Sequence, residues 1–368
     1  MTNDVMRETT HGGKKAKVQR QKAKVKNCTP SSRLPFYFCL LPSFAGDREA
    51  AVPLDLRLLP AGCRLLINVR PAVLLSTPAG RDLVRALDKR GSSALEVLEK
   101  LTRFPPAEID HVLVGLVPSA GREPPQMAAV VTLARDLPLA ELLAALGNPE
   151  PARSGSDQYY VSRQGPTAYY AADARTFAVL PRRFADEVVA DPSTALPTSP
   201  EIEALVDETD SRRLFTVLFE TRFLREEILP LLPSDDQRLV GDALDLLSDD
   251  VEAGVLSVDA GDVLSTQLVV RSSTDLPARR LEARLEQRLR HLPYDVLDYV
   301  KTTDPRRGRR LVGRFPAMIK ALALSLQFES TGRHVRVTSV LPERAGPNLL
   351  LAGSLTADLY TAAHPELR

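Results

Sequence analysis

The densest group of residues that could bind an anion is the arginine-rich stretch DPRRGRRLVGRF, residues 304–315. Guanidinium groups form paired hydrogen bonds with phosphate and carboxylate oxygens, so such a loop could hold phosphate, an acidic polymer or a partner's acidic surface. No aromatic residue alternates with the arginines, as binding of single-stranded nucleic acid would require. A solvated loop is the alternative interpretation. The candidate contacts are Arg306, Arg307, Arg309, Arg310 and Arg314.

Motifs that would identify an enzyme are absent from the sequence. It contains no GxxxxGK[ST] phosphate loop, no GxGxxG opening a helix, and no HExxH, GxSxG or SxxK pattern. His111 follows Asp110, but the sequence identifies no nucleophile that would complete a Ser-His-Asp triad. A structural histidine at a sheet edge is therefore the better interpretation. The sequence therefore predicts no catalytic residues and favours a protein that is not an enzyme.

The sequence also predicts no metal and no cofactor. Acidic residues around one predicted hairpin could suggest calcium, but they do not fit EF-hand spacing; they are Asp249, Asp250, Glu252, Asp259 and Asp262. The cysteines form neither a CxxC pair nor a zinc-spaced Cys/His cluster; they are Cys28, Cys39 and Cys63. No disulfide scaffold is implied.

Charge is divided unevenly along the 368-residue chain, whose formal net charge is +1. Residues 1–33 hold nine Lys and Arg against Asp4 and Glu8, so this tail carries +7 and the remaining chain −6. We expect 1–33 to be a disordered basic tail. The mildly acidic body is not expected to bind nucleic acid.

The segment LPFYFCLLPSFAG, residues 34–46, is uncharged and follows the basic tail. A positive region, a short apolar stretch and small residues before a cleavage point define a signal peptide. Ser43 and Ala45 supply the small residues, and Pro42 would end a helix just before them. The alternatives are an uncleaved interfacial anchor, or a tail attached to a cytosolic body. No apolar run is long enough to span a bilayer.

Short strands alternate with helical stretches through the rest of the chain. RLLINVRPAVLL, from Arg64, resembles RLFTVLFETRFL, from Arg213, in type and period. DLPLAELLAAL, from Asp136, resembles DLPARRLEARL, from Asp275, and each Asp is predicted to cap a helix. These matches predict an internal duplication. Similar stretches produced by biased composition are the alternative.

The predicted fold class is α+β, with two tandem β-α-β-β-α repeats whose antiparallel sheets are covered by helices on one face. The repeats span 54–190 and 211–360, and a Pro-, Ser- and Thr-rich linker spans 191–210. We expect function to lie in the loops that differ most between the repeats, 118–126 and 304–314.

The stretch DLRLLPAGCRLLINVRPAVLLSTPAG, residues 55–80, resembles an uncharacterised bacterial family. Its members open with an "LP…C…V.VR" strand, followed by a helix with "LL.SPAG"-like residues. They occur as exported proteins and as extracytoplasmic regions that follow a Ser/Thr kinase and a membrane span. The resemblance covers 54–360, implies export and supplies no catalytic residues. This chain has no kinase HRD or DFG motif.

The sequence thus predicts a non-enzymatic exported α+β protein, periplasmic or extracellular, that binds an unknown protein partner or ligand. If 34–46 is not a signal, the protein is cytoplasmic. Its basic tail would then dock on nucleic acid or an anionic membrane.

Overall fold

The computed structural model of the chain describes residues 51–86, 88–119, 123–232, 234–247, 249–260, 263–273, 278–302, 312–342 and 345–363. The predicted basic tail 1–33 and apolar segment 34–46 lie outside the described residues, so both remain predictions.

The strands of the described residues form one 12-stranded antiparallel sheet. They are β1 Leu65–Val69, β2 Ile109–Val117, β3 Gln126–Leu133, β4 Glu150–Ser154, β5 Asp157–Val161, β6 Thr167–Ala171, β7 Thr176–Pro181, β8 Phe215–Glu220, β9 Val251–Ala260, β10 Val263–Ser272, β11 Gln327–Thr331 and β12 His334–Pro342.

The strand order is β11-β12-β10-β9-β8-β1-β2-β3-β7-β6-β5-β4. β1 and β8 lie together at the centre, and each half of the chain builds one wing outward from its own first strand. Two tandem copies joined through their first strands would produce this order. The α+β class with antiparallel pairing is confirmed, and the duplication itself stays a prediction.

The helices of the described residues are α1 Pro71–Ser76, α2 Pro78–Ala86, α3 Asp88–Thr102, α4 Leu139–Ala145, α5 Arg182–Ala190, α6 Pro200–Val206, α7 Thr221–Phe223, α8 Ser234–Leu247, α9 Ala278–Thr302, α10 Phe315–Ser325 and α11 Ala345–Ala363. A π-helical turn, Leu224–Ile228, and a 3-10 turn, Leu229–Leu231, continue α7, and a further 3-10 turn spans Pro106–Glu108. None of the described helices is long and apolar enough to cross a bilayer.

Helices cover both faces of the central strands. The side chains of neighbouring residues in a strand point to opposite faces of the sheet, so Leu65 and Leu66 of β1 lie on different faces. Leu66 packs with Ile202 and Leu205 of α6, whereas Leu65 packs with Phe223 of α7. The prediction of helices on one face is therefore wrong for α6. The reason is that β1 has a leucine on each side, Leu66 on one and Leu65 on the other, and each must be shielded from water.

The predicted linker 191–210 is also wrong in its second half, which contains α6. Ser199 is the N-cap of this helix, and its Oγ accepts a hydrogen bond from the N–H of Ile202 at 3.4 Å. Pro200 occupies the first turn, where it is tolerated. Because Ile202 and Leu205 are fully buried, this segment is part of the core.

Two details of the predicted repeat differ in the structure. Ile67 pairs with Val217 across the β1–β8 ladder, so Thr216, its predicted equivalent, points to the opposite face. The sequence match is off by one residue. Pro138 lies at the start of α4, which has no side-chain cap, so Asp136 does not cap this helix. Asp275 lies outside the described residues.

Candidate ligand-binding cleft

The sheet splits between β3 and β7. These strands pair from Thr132 and Thr176 to Ala129 and Val179, where their shared register ends. The start of β3 stays paired with β2, and the end of β7 stays paired with β6, through Pro181. Proline has no N–H to donate to a ladder, which accounts for the separation at this point.

The gap opens into a cleft of about 340 Å³, which we call the fork cleft. It is lined by Leu101, Gln126, Met127, Pro166, Thr167, Val179, Leu180, Pro181, Arg182 and Arg183. Val179 and Leu180 are buried in the core, whereas the Met127 side chain is 40% exposed. The lining therefore combines a fixed apolar wall with an accessible apolar side chain.

Two arginines border the cleft at the start of α5. The N–H of Arg182 donates to the carbonyl of Pro166 at 2.7 Å, which ties the helix to the β5–β6 turn. The guanidinium carbon of Arg183 lies 4.6 Å from the ring centroid of Phe184. Both arginines are exposed, and neither forms an ion pair with any carboxylate among the described residues. Their charge is available to a ligand.

Gln126 adds a hydrogen-bond acceptor. Its Oε1 atom is buried and has no hydrogen-bond partner among the described residues. A buried acceptor without a donor costs free energy, about 1–3 kcal/mol, and a ligand N–H or O–H that met this oxygen after a rotation of the Gln126 side chain would remove that cost. The fork cleft therefore suits a ligand with an anionic group, a hydrogen-bond donor and an apolar portion.

A second cleft, of about 180 Å³, lies on the other wing beside β12. Two carboxylates share the guanidinium of Arg336: Arg336 Nη2 lies 2.5 Å from Glu208 Oε2, and Arg336 Nη1 lies 3.6 Å from Glu329 Oε2. His334 Nδ1 lies 3.9 Å from Glu208 Oε1. Burial lowers the pKa of His334, with the Glu208 carboxylate opposing the shift. The Arg336–Glu208 ion pair joins the chain before β8 to β12, and the described residues that line this cleft include no unpaired arginine for an anionic ligand.

His111 lies within the sheet rather than at its edge, because β2 has neighbours on both sides. The predicted edge position is therefore wrong. Burial lowers the pKa of His111, opposed mainly by Asp110. Asp110 Oδ1 is held 3.0 Å from Arg70 Nη2, so the carboxylate next to the histidine in sequence is paired with arginine.

Of the acids considered for calcium, Asp262 lies outside the described residues, and the others separate to opposite ends of β9. Asp250 pairs with Arg284, and Glu252 Oε2 lies 2.7 Å from Arg333 Nη2. Asp259 lies at the far end of the strand. Within the described part of the chain, no group of three or more His, Cys, Asp or Glu could hold a metal ion.

Most of the arginine-rich candidate site cannot be placed, because Arg306, Arg307, Arg309 and Arg310 lie outside the described residues. Arg314 is exposed directly before α10, and its carbonyl accepts the N–H of Met318 at 3.1 Å. Its anion-binding role stays a prediction. The fork cleft arginines were not predicted, although the loop predicted to carry function, 118–126, ends at Gln126 in the cleft.

Comparisons with known proteins give few relatives. No protein-family model matches the chain, and a search of curated proteins found no significant match. Crystal form I of the Treponema protein TP0453 aligns at 9% identity and TM-score 0.38, covering 85% of this chain and 100% of that one. Crystal form III of the same protein aligns at 8% identity and TM-score 0.39, covering 84% of this chain and 100% of that one. These likenesses are too low to carry an argument about function.

Proposed function

We propose that this chain is a non-enzymatic exported protein that binds a partner or ligand outside the cytoplasm, through the fork cleft. One observation carries the assignment of the site: Arg182 and Arg183 have no described carboxylate partner at the rim of an apolar-lined cleft. Arginines with unpaired charge beside an accessible apolar surface suit an amphipathic anion.

Export is supported by the sequence of the 34–46 segment and by the family resemblance over 55–80. Mass spectrometry of the protein recovered from its native host tests it. A mature chain that begins at Gly46 supports export. An intact chain that begins at Met1 contradicts it and favours the alternative, a basic tail that docks on nucleic acid or an anionic membrane.

The binding role can be tested with a small amphipathic carboxylate. N-acetyl-leucine provides a carboxylate, one N–H donor and an apolar side chain, and N-acetyl-leucinamide is the matched neutral probe. We expect the carboxylate to raise the melting temperature of the protein more than the amide does. Adding salt should weaken the difference, since both arginines are exposed.

A pair of variants decides whether the effect belongs to the fork cleft. Arg182→Ala/Arg183→Ala removes the arginines at the start of α5. Arg279→Ala/Arg280→Ala removes an equally adjacent, exposed pair near the start of α9. The proposal requires that the first variant lose the response to N-acetyl-leucine and the second keep it. Equal responses from both variants would remove the fork cleft as the site.

A further inference from the structure

We propose that the natural occupant of the fork cleft is the C-terminal end of a polypeptide. This inference rests on the binding function proposed above and specifies the ligand class for the same site. A chain terminus carries a carboxylate, an N–H donor and a side chain on one Cα atom. The fork cleft offers a complementary group to each within about 340 Å³.

The carboxylate matches the two arginines. Arg182 and Arg183 are consecutive, exposed and unpaired with any described carboxylate. A guanidinium can bind a carboxylate through two parallel N–H···O bonds. The terminal residue's apolar side chain would pack against Leu101, Met127 and Val179, which line the same cleft.

Backbone geometry favours a peptide over a small acid. The N–H of Leu133 donates to the carbonyl of Arg175 at 2.8 Å, which fixes the alternation of hydrogen-bonded positions between β3 and β7. If the same alternation continued past the Ala129–Val179 pair, the Met127 carbonyl would face the backbone nitrogen of Pro181. Because Pro181 has no N–H, β7 offers this carbonyl no donor.

Two acceptors beside the cleft therefore lack a donor from the strand opposite: the Met127 carbonyl, and Gln126 Oε1, which is buried until its side chain rotates. A free amphipathic acid such as N-acetyl-leucine has one amide N–H and can satisfy one of them. A peptide end has successive N–H groups and can satisfy both. Extended peptides that add to exposed strand edges are held in this way, with pockets selecting the side chains.

An internal segment fits less well than a chain end. The Ala129–Val179 pair closes the inner end of the fork, so a peptide cannot pass through it along the strand direction. The cleft is also at the small end of the range for ligand pockets, about 300–1,000 Å³. Both features suit the last residues of a chain.

The test uses the full chain and N-acetyl tetrapeptides that end in Leu, Val or Phe. Each is made with a free C-terminal carboxylate and with a C-terminal amide, and N-acetyl-leucine is the small-acid reference. We expect at least one free-acid peptide to bind at least about tenfold more tightly than its amide, since an amide cannot accept two charge-assisted hydrogen bonds from a guanidinium. It should also bind about tenfold more tightly than N-acetyl-leucine.

Arg182→Ala/Arg183→Ala should abolish the preference for the acid, and Arg279→Ala/Arg280→Ala should preserve it. If N-acetyl-leucine binds in an Arg182- and Arg183-dependent way as tightly as every peptide, the binding function stands and the chain-end proposal is overturned. If the amides bind as tightly as the acids, the chain-end proposal is also overturned. If no probe binds in an arginine-dependent way, both proposals fall.

Discussion

Ala129 pairs with Val179 in the last register position that β3 and β7 share. Past this pair, β3 remains paired with β2 and β7 remains paired with β6, but β3 and β7 no longer pair with each other. The sheet is therefore open beside Pro181. A proline inside a sheet removes one ladder donor, so one residue type accounts for the split. The split leaves a cleft bordered by two arginines.

The arginines of the fork cleft should matter little for folding. Arg182 and Arg183 are exposed and make no ion pair with a described carboxylate, so Arg182→Ala/Arg183→Ala should change the free energy of unfolding by no more than about 1 kcal/mol per residue, including the Arg183–Phe184 contact. Urea denaturation beside the Arg279→Ala/Arg280→Ala control measures this. A cost of several kcal/mol would show that the arginines are structural.

The central core should depend on Leu66 more than on Ile67. Leu66 is fully buried among helix and strand residues, whereas Ile67, one residue along, is half-buried on the opposite face. Leu66→Ala should lower the free energy of unfolding by about 2–5 kcal/mol, and Ile67→Ala by less. Equal urea midpoints for the two variants would contradict this difference in burial.

Gly115 should tolerate no side chain while Cys63 is present. A Cβ at Gly115 would lie 2.8 Å from Cys63 Sγ, closer than packing allows, so Gly115→Ala should cost about 1–3 kcal/mol. Cys63→Ala removes the sulfur, and the double variant should lose less stability than the sum of the singles by about 0.5–3 kcal/mol. Strict additivity in a double-mutant cycle would mean that the two sites do not touch.

Stability should fall in mild acid because of His111. Burial lowers its pKa from the ordinary 6.5, so between the folded and unfolded values the unfolded chain binds more protons. The free energy of unfolding therefore decreases as pH falls below about 6.5 and levels off below the folded pKa. His111→Gln should flatten this part of the pH profile. The pH profile of His334→Gln is measured for comparison, because burial also lowers the pKa of His334. An unchanged slope in His111→Gln would contradict the expected role.

The sequence predicted the features that depend on local pattern. Short strands that alternate with helical stretches and pair antiparallel were predicted, and the structure shows both. The stretch DLPARRLEARL was predicted to open a helix, and α9 begins within it at Ala278, with Leu281 and Leu285 fully buried. These features rest on residues a few positions apart, where periodicity is informative.

What the sequence could not predict depends on contacts between distant segments. The fork requires β3 to stay with β2 while β7 stays with β6, and no local pattern states which strands pair. The helix α6 was hidden by the Pro-, Ser- and Thr-rich residues before it, although Ser199-Pro200 is a recognisable helix start. The one-residue error in matching Ile67 to Thr216 arose because a period of two allows a slip that reverses faces.

The central claim is that the fork cleft is the ligand site, and backbone amide chemical shifts on titration with a free-acid tetrapeptide test it most directly. We predict that the shifts change mainly at residues 126–128, 167 and 182–183, and that the changes disappear in Arg182→Ala/Arg183→Ala. Changes confined to the other wing, at residues 327–336, or changes that persist in that variant, would contradict the account.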